Sequence, residues 1–186
     1  MKISLNIRTG YTFRGRKNIS DSREIAVIQP TDVDSGELKD TISYIAKDQV
    51  SPLEKHLLKS GDVLLSNKGL NFTTHLYKGK QAAVATSSFF ILSPEPDKLR
   101  SEYLYWYLQQ PATIKILQSM MSGSTVLSLS KSSLENLEVP LPPLAVQDKI
   151  IQMNYWVEEE SKELKNLITK RREYRDAYNW ELIKGI

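Results

Sequence analysis

Apolar positions along the chain follow two regimes that meet near Pro143. Before it, hydrophobic residues come in short clusters separated by polar stretches bearing Gly and Pro. After it, they recur singly at spacings of three, four or seven. The first regime predicts short strands and helices, and the second one long helix. The run Ile25 to Ile28, closed by Pro30, predicts a strand. "PTDVDSGELKD" (30–40) is rich in turn formers and predicts a loop. Val63 to Leu65, between Gly61 and Gly69, predicts a second strand. "AAVATSSFFIL" reads as strand material broken near Ser87–Ser88 and stopped by "SPEP".

Helices are predicted next. "SEYLYWYLQQ" is aromatic-rich and ends before Pro111. In "ATIKILQSMMSG", Ile114, Leu117 and Met121 share one helical face, with Gly123 as the terminator. "SLENL" predicts a short helix, with Ser132 and Glu135 spaced as a capping box. "LEVPL" alternates Leu137, Val139 and Leu141 and predicts a last strand before Pro142 and Pro143. Short strands with irregular connections and several helices predict an α+β fold with a mixed sheet.

From Leu144 onward, Val146, Ile150, Met153, Val157, Leu164, Leu167, Tyr174 and Tyr178 form a heptad-like stripe. Glu160 and Arg171 interrupt its seam, and no Gly or Pro falls between Pro143 and Gly185. A helix of roughly 38 residues would be ~57 Å long. Such a length needs an apolar partner. No second long helix is predicted, so the expected partner is another chain. The expected division is residues 1–143 as one domain and 144–186 as the helix, with Ile150, Met153, Val157, Leu164, Leu167 and Tyr174 on the pairing face.

Composition removes several function classes. There are no cysteines, hence no disulfide framework, thiolate metal site or cysteine nucleophile. His56 and His75 lack metal-ligand spacing and read as surface or loop residues. No nucleophile elbow, phosphate loop or dinucleotide fingerprint occurs. Asp62, after Gly61, reads as a turn or sheet-edge residue rather than an acid catalyst. No catalytic residue, metal site or cofactor is expected. No apolar run approaches a membrane span, and the N-terminus lacks a signal-peptide core, so a cytoplasmic protein is expected.

Charge points toward binding. The net charge is only +3, but residues 1–143 carry 17 basic and 14 acidic side chains, whereas 144–186 carry 8 of each. A local basic surplus can hold phosphate despite a modest total. "RTGYTFRGRKN" interleaves Tyr11 and Phe13 with Arg14, Arg16 and Lys17, and Gly10 and Gly15 free the backbone to approach another surface. "SNKGLNFTTHLYKGK" offers Asn67, Lys68, Asn71, Thr73 and Lys80, either as nucleic-acid contacts or as an ordinary solvated hairpin. "MSGSTVLSLSKSS" adds Ser124, either as a phosphate contact or among helix caps.

In order and spacing, these segments resemble one half of the DNA-specificity subunit of Type I restriction–modification systems. The resemblance rests on "GYTFRGR", "IAVIQPTDVDSGEL", "LLKSGDVLLSNKG", a strand near "SSFFIL", "EYLYWYLQQ" and "GSTVLSLSKSSLENLEVPLPPLAVQDKI" followed by the long helix. It implies a target recognition domain that reads double-stranded DNA, joined by a proline elbow to a spacer helix. A full-size subunit carries two such units in tandem with antiparallel helices. Methyltransferase subunits, with S-adenosylmethionine, and a restriction subunit are the implied partners. With one unit, this chain is expected to form a homodimer on a palindromic split site, as part of phage defence. The DNA-contact residues expected on this reading are Arg14, Arg16, Lys17, Asn67, Lys68, Asn71, Thr73, Lys80 and Ser124. The alternative is a protein-interaction adaptor with little DNA affinity of its own.

Overall fold

The computed structural model describes residues 5–13, 23–123 and 127–185. Arg14, Arg16, Lys17, Gly15 and Ser124 lie outside the described residues. The chain divides into two compact units, residues 1–147 and 148–186.

The first unit is α+β. Strands β1 (Asn6–Thr9), β9 (Phe89–Ser93), β6 (Val63–Ser66) and β7 (Thr74–Leu76) form an antiparallel sheet in the order β1-β9-β6-β7. A second sheet has the order β5 (Ser43–Ile45), β2 (Ile25–Ile28), β8 (Ala83–Ala85). Within it β2 runs antiparallel to β5 and parallel to β8, so the sheet is mixed as expected. Period-two alternation explains the unbroken apolar runs of β2 and β8, whose two faces are both covered. Ala26, Ile28, Ala83 and Ala85 join one core with Leu64, Phe89 and Ile91. Ile25, Val27 and Val84 join another with Ile45 and Val50.

The turn-rich stretch is more ordered than its composition suggests. A 3-10 turn at Pro30–Asp32 leads into a ribbon of β3 (Val33–Asp34) and β4 (Glu37–Leu38). The short helix α1 (Leu53–His56) precedes β6. Helices α2 (Ser101–Leu108) and α3 (Pro111–Ser119) flank Pro111, and α2 packs over β6 and β7. Helix α3 stops at Ser119, so Gly123 is not its terminator and Met121 lies past its end. In the next helix, α4 (Lys131–Leu134), the cap is Ser130, whose Oγ accepts from the Ser133 N–H at 3.0 Å. The capping box expected at Ser132 and Glu135 does not form.

"LEVPL" is not a strand. Its alternation is real, with Leu137 and Val139 buried, but its carbonyls find side-chain partners instead of a ladder. Tyr107 Oη donates to Glu138 O at 3.0 Å, and Tyr103 Oη to Pro140 O at 3.2 Å. Prolines lack an N–H, so the elbow needs only its carbonyls satisfied. Gln147 completes this. It is fully buried, its Nε2 donates to Pro142 O and Lys98 O, and its Oε1 accepts from the Arg100 N–H, each at 2.9 Å.

Helix α5 (Leu144–Lys184) has 41 residues, slightly more than expected, and is about 62 Å long. Beyond Asn154 every described residue is exposed. No helix among the described residues is long and apolar enough to cross a membrane.

Candidate nucleic-acid interface

The turn between β8 and β9, Thr86–Ser88, gathers the segments that carry candidate binding residues. On one side, Tyr11 N–H donates to Ala85 O at 2.7 Å, and Ser87 N–H donates to Tyr11 O at 2.9 Å. On the other, Asn67 N–H donates to Ser88 O at 3.0 Å, and Asn67 Nδ2 to Ser87 O at 2.8 Å. The Leu129 N–H then donates to Asn67 O at 2.9 Å, so that Lys68 pairs with Ser128 in a short antiparallel bridge. Ser128 in turn exchanges backbone hydrogen bonds with Ser122 at 2.9 and 3.0 Å. Gln118 Nε2, from α3, donates to Leu70 O at 2.9 Å. The "GYTF" segment, the "SNKG" loop and the hydroxyl loop thus form one hydrogen-bonded strip.

Lys68, Leu70, Asn71, Ser122 and Leu127 line that strip, with Lys68, Leu70, Asn71 and Leu127 exposed and Ser122 exposed beside Gly123. Gly69, at φ +83°, takes the left-handed conformation that an L side chain resists, with open space where a Cβ would point. The charge carried by these segments is one-sided. These segments lie in stretches with no acidic side chain at all, residues 1–20, 63–94 and 103–134. An exposed ammonium, amide and hydroxyl on segments whose own sequence carries no carboxylate suit an anionic polymer such as a phosphodiester backbone.

Other candidates have internal roles or lie elsewhere. Asn67 is half-buried, with its amide nitrogen held by Ser87 O. The Thr73 N–H donates to Ser66 Oγ at 2.8 Å, and Thr73 O accepts from the Ser66 N–H. Asn71 stands exposed in the same loop. Lys80 is not brought to the strip. It lies beyond Tyr77, past the opposite end of the β6–β7 ladder, and borders a cavity of about 530 Å³ with Arg23, Lys39, Tyr44 and Lys78.

The aromatics between the basic residues pack inward. Tyr11 makes edge contacts with Phe13 and His56, each with ring centroids 4.8 Å apart, and both Tyr11 and Phe13 lie against the second core. Gly10 also faces inward, onto the backbone at Ala85 and Thr86, rather than toward an external surface. Arg8 belongs to an internal pair: its guanidinium donates to Asp62 Oδ2 at 2.5 Å and to Leu57 O at 3.1 Å. Asp62 is buried, and its carboxylate also accepts from Ser93 Oγ and the Lys59 N–H, as a structural bridge.

His75 corrects the surface reading of the histidines. It is buried in β7, with Nδ1 2.7 Å from Gly36 O, and burial lowers its pKa below the ordinary histidine value. Its neutral form donates from Nδ1–H to that carbonyl. Among the described residues, no group of three His, Cys, Asp or Glu side chains could hold a metal.

On α5, Met153, Val157, Leu164, Leu167 and Tyr174 are all exposed, and Ile150 is half-buried.

Comparison with known proteins gives a consistent result. The family model for the Type I restriction modification DNA specificity domain matches residues 5–169. Three solved structures share the fold. One is a chain from work on complex assembly and conformational transition of the type I R-M system, with TM-score 0.65 and 21% identity over 88% of this chain and 38% of that one. Another is the Type-I restriction-modification system S subunit from M. genitalium, with TM-score 0.59 and 16% identity over 94% of this chain and 42% of that one. A third is the HsdS subunit from Thermoanaerobacter tengcongensis, with TM-score 0.63 and 18% identity over 76% of this chain and 37% of that one. This chain therefore spans about two fifths of the length of each. With most of its residues matched in the order observed along the fold, the chain belongs to the Type I restriction modification DNA specificity domain family.

Proposed function

We propose that this chain is the sequence-specific DNA-recognition subunit of a Type I restriction–modification complex, acting as a homodimer on a palindromic split site. The observation that carries this reading is the acid-free strip, on which Lys68, Asn71 and Ser122 stand together beside the hydroxyl loop that contains Ser124. Lys68 holds backbone phosphate, and the neighbouring polar groups contact base or sugar edges. Arg14, Arg16 and Lys17, which follow the "GYTF" segment in sequence, are further phosphate contacts on this reading.

The chain itself is non-catalytic on this reading. Adenine methylation, with S-adenosylmethionine as methyl donor, belongs to a methyltransferase partner, and cleavage to a restriction subunit. Two copies pair through α5, and each presents one recognition unit to an inverted half-site. Sedimentation of the chain, alone and with a mixed-sequence duplex, tests this. A dimer that binds the duplex, and releases it as salt rises, is expected. A monomer indifferent to DNA would overturn the reading in favour of an adaptor that acts only within a larger complex.

The elbow sets the separation of the two half-sites. Replacing Pro142 and Pro143 with glycine should broaden the accepted gap length, because backbone freedom replaces two fixed φ angles ahead of the Gln147 anchor. A set of duplexes differing only in gap length reads this out. An unchanged preference would count against the elbow's role.

A further inference from the structure

We infer that Leu70 and Asn71 read one A·T base pair from the major groove, Leu70 against the thymine 5-methyl group and Asn71 against the adenine. The inference rests on the DNA-recognition reading above and adds which base pair this part of the strip selects, and by what contact.

Exposed apolar surface is the starting point. Among the described residues before the proline elbow, three bulky hydrophobic side chains are exposed: Leu70 at 55%, Ile116 at 42% and Leu127 at 40%. Single exposed hydrophobics are ordinary, whereas several gathered at one place mark a contact. The segments that carry these three are joined at the strip. The Gly69 N–H, just ahead of Leu70, donates to Leu127 O at 3.4 Å. Leu70 O accepts from Gln118 Nε2, on the same helix as Ile116.

The loop is held through its backbone, which leaves its side chains available. Lys68, Leu70 and Asn71 are all exposed. Neither Lys68 nor Asn71 makes a side-chain hydrogen bond or ion pair among the described residues. The loop thus offers, in order, a cation, an apolar group and an amide, in a stretch without a carboxylate from Val63 to Pro94.

Those groups match one edge of duplex DNA. The ammonium suits a phosphate. An asparagine amide pairs bidentately with N6 and N7 of adenine in the major groove. The thymine opposite that adenine carries its 5-methyl group on the same groove edge, where an apolar side chain can cover it. The minor-groove edge of the same pair offers acceptors and no methyl, so the Leu–Asn order suits the major groove. A G·C pair would leave Leu70 without a methyl and set polar base atoms against an apolar side chain.

Exchange of thymine for uracil tests this, since it removes the methyl and leaves base pairing intact. Duplexes are selected from a randomised pool by the full chain. The enriched duplex is then remade with uracil at one thymine position of each half at a time, and affinity is followed by fluorescence anisotropy. At one position the exchange should weaken binding by about 4-fold for each half, the factor for one buried methyl group. Leu70→Ala should bind the thymine duplex about 10-fold more weakly and show no further loss at that uracil position. Asn71→Ala should relax the choice of adenine at the same pair. Leu70 is exposed and Gln118 bonds its backbone, so the Leu70→Ala chain should fold, which circular dichroism checks.

If Leu70→Ala weakens binding but no uracil position does, the leucine meets sugar or wedges between bases, and the methyl contact is overturned. Relaxation by Asn71→Ala at a different pair would overturn the joint reading of one pair. If Leu70→Ala binds as the wild type does, the exposed apolar groups face something other than DNA, and the inference falls. In each of these cases DNA recognition by the chain stands. A chain that enriches no sequence removes that recognition and this inference together.

Discussion

Replacing Gly10 with alanine should destabilise the recognition unit by about 3 kcal/mol, near the upper end for overpacking a closed site. Gly10 follows β1 and presses onto the connection that leaves β8. A Cβ there would overlap Thr86 O and lie 2.6 Å from Ala85 O. Both obstacles are backbone, so no side chain can swing aside to make room. Relief would have to move Tyr11 N–H away from Ala85 O or Gly10 N–H away from Phe89 O, and both bonds tie the "GYTF" segment to the junction. For a unit of this size the loss corresponds to a fall in Tm of roughly 10 °C. Thermal unfolding followed by circular dichroism measures it, read against the unfolding signal of α5. A Gly10→Ala chain melting with the wild type would show that the strip is not anchored at this point. The loss should extend to binding, since the same hydrogen bonds set the spacing of the "GYTF" segment and the "SNKG" loop.

Reversing charge at Arg14 and Lys68 together should lower affinity for duplex DNA by roughly 100-fold, about 2.7 kcal/mol. Lys68 is exposed on the acid-free strip, and Arg14 follows Phe13 on the segment joined to it through Ser87. Each reversal removes a counter-charge to phosphate and adds a repulsion. If both groups meet phosphate, all sequences should weaken alike, and the salt dependence should become shallower by about one unit for each phosphate no longer neutralised. If either reads a base, sequence choice should relax as well. Filter binding or fluorescence anisotropy across a salt series separates the cases. Because Lys68 makes no ion pair among the described residues, the variant should fold normally. Unaltered affinity would mean that the binding face lies elsewhere, and the basic groove bordered by Lys80 would be the next place to test.

The elements legible in the sequence were those fixed by local chemistry. An apolar run closed by proline marked β2, glycines bracketed β6, and a proline separated α2 from α3. The uninterrupted stretch after Pro143 marked α5. What stayed hidden depends on interactions distant in the chain. "LEVPL" alternates like a strand, yet Tyr103 and Tyr107 supply the hydrogen bonds that a neighbouring strand would have supplied. Gln147 looks like a surface residue in a polar first turn, and only its three buried hydrogen bonds show it to be an anchor. Arg8 opens the basic "RTGYTFRGRKN" stretch, and nothing local signals its partner, Asp62, 54 residues away.

The candidate strip was visible in part. Its loops stood out by composition, but their meeting at Thr86–Ser88 was signalled only by the polar break inside an otherwise apolar stretch. That break looked like a simple interruption between strands. It is also where backbone groups unclaimed by either sheet become free to bind neighbouring loops.

The most direct test of the central claim is selection of bound duplexes from a randomised pool by the full chain, followed by sequencing. We predict enrichment of an inverted repeat whose halves are separated by a constant gap. A pool that passes through without enrichment, under conditions where the chain retains duplex, would contradict sequence-specific recognition by this chain.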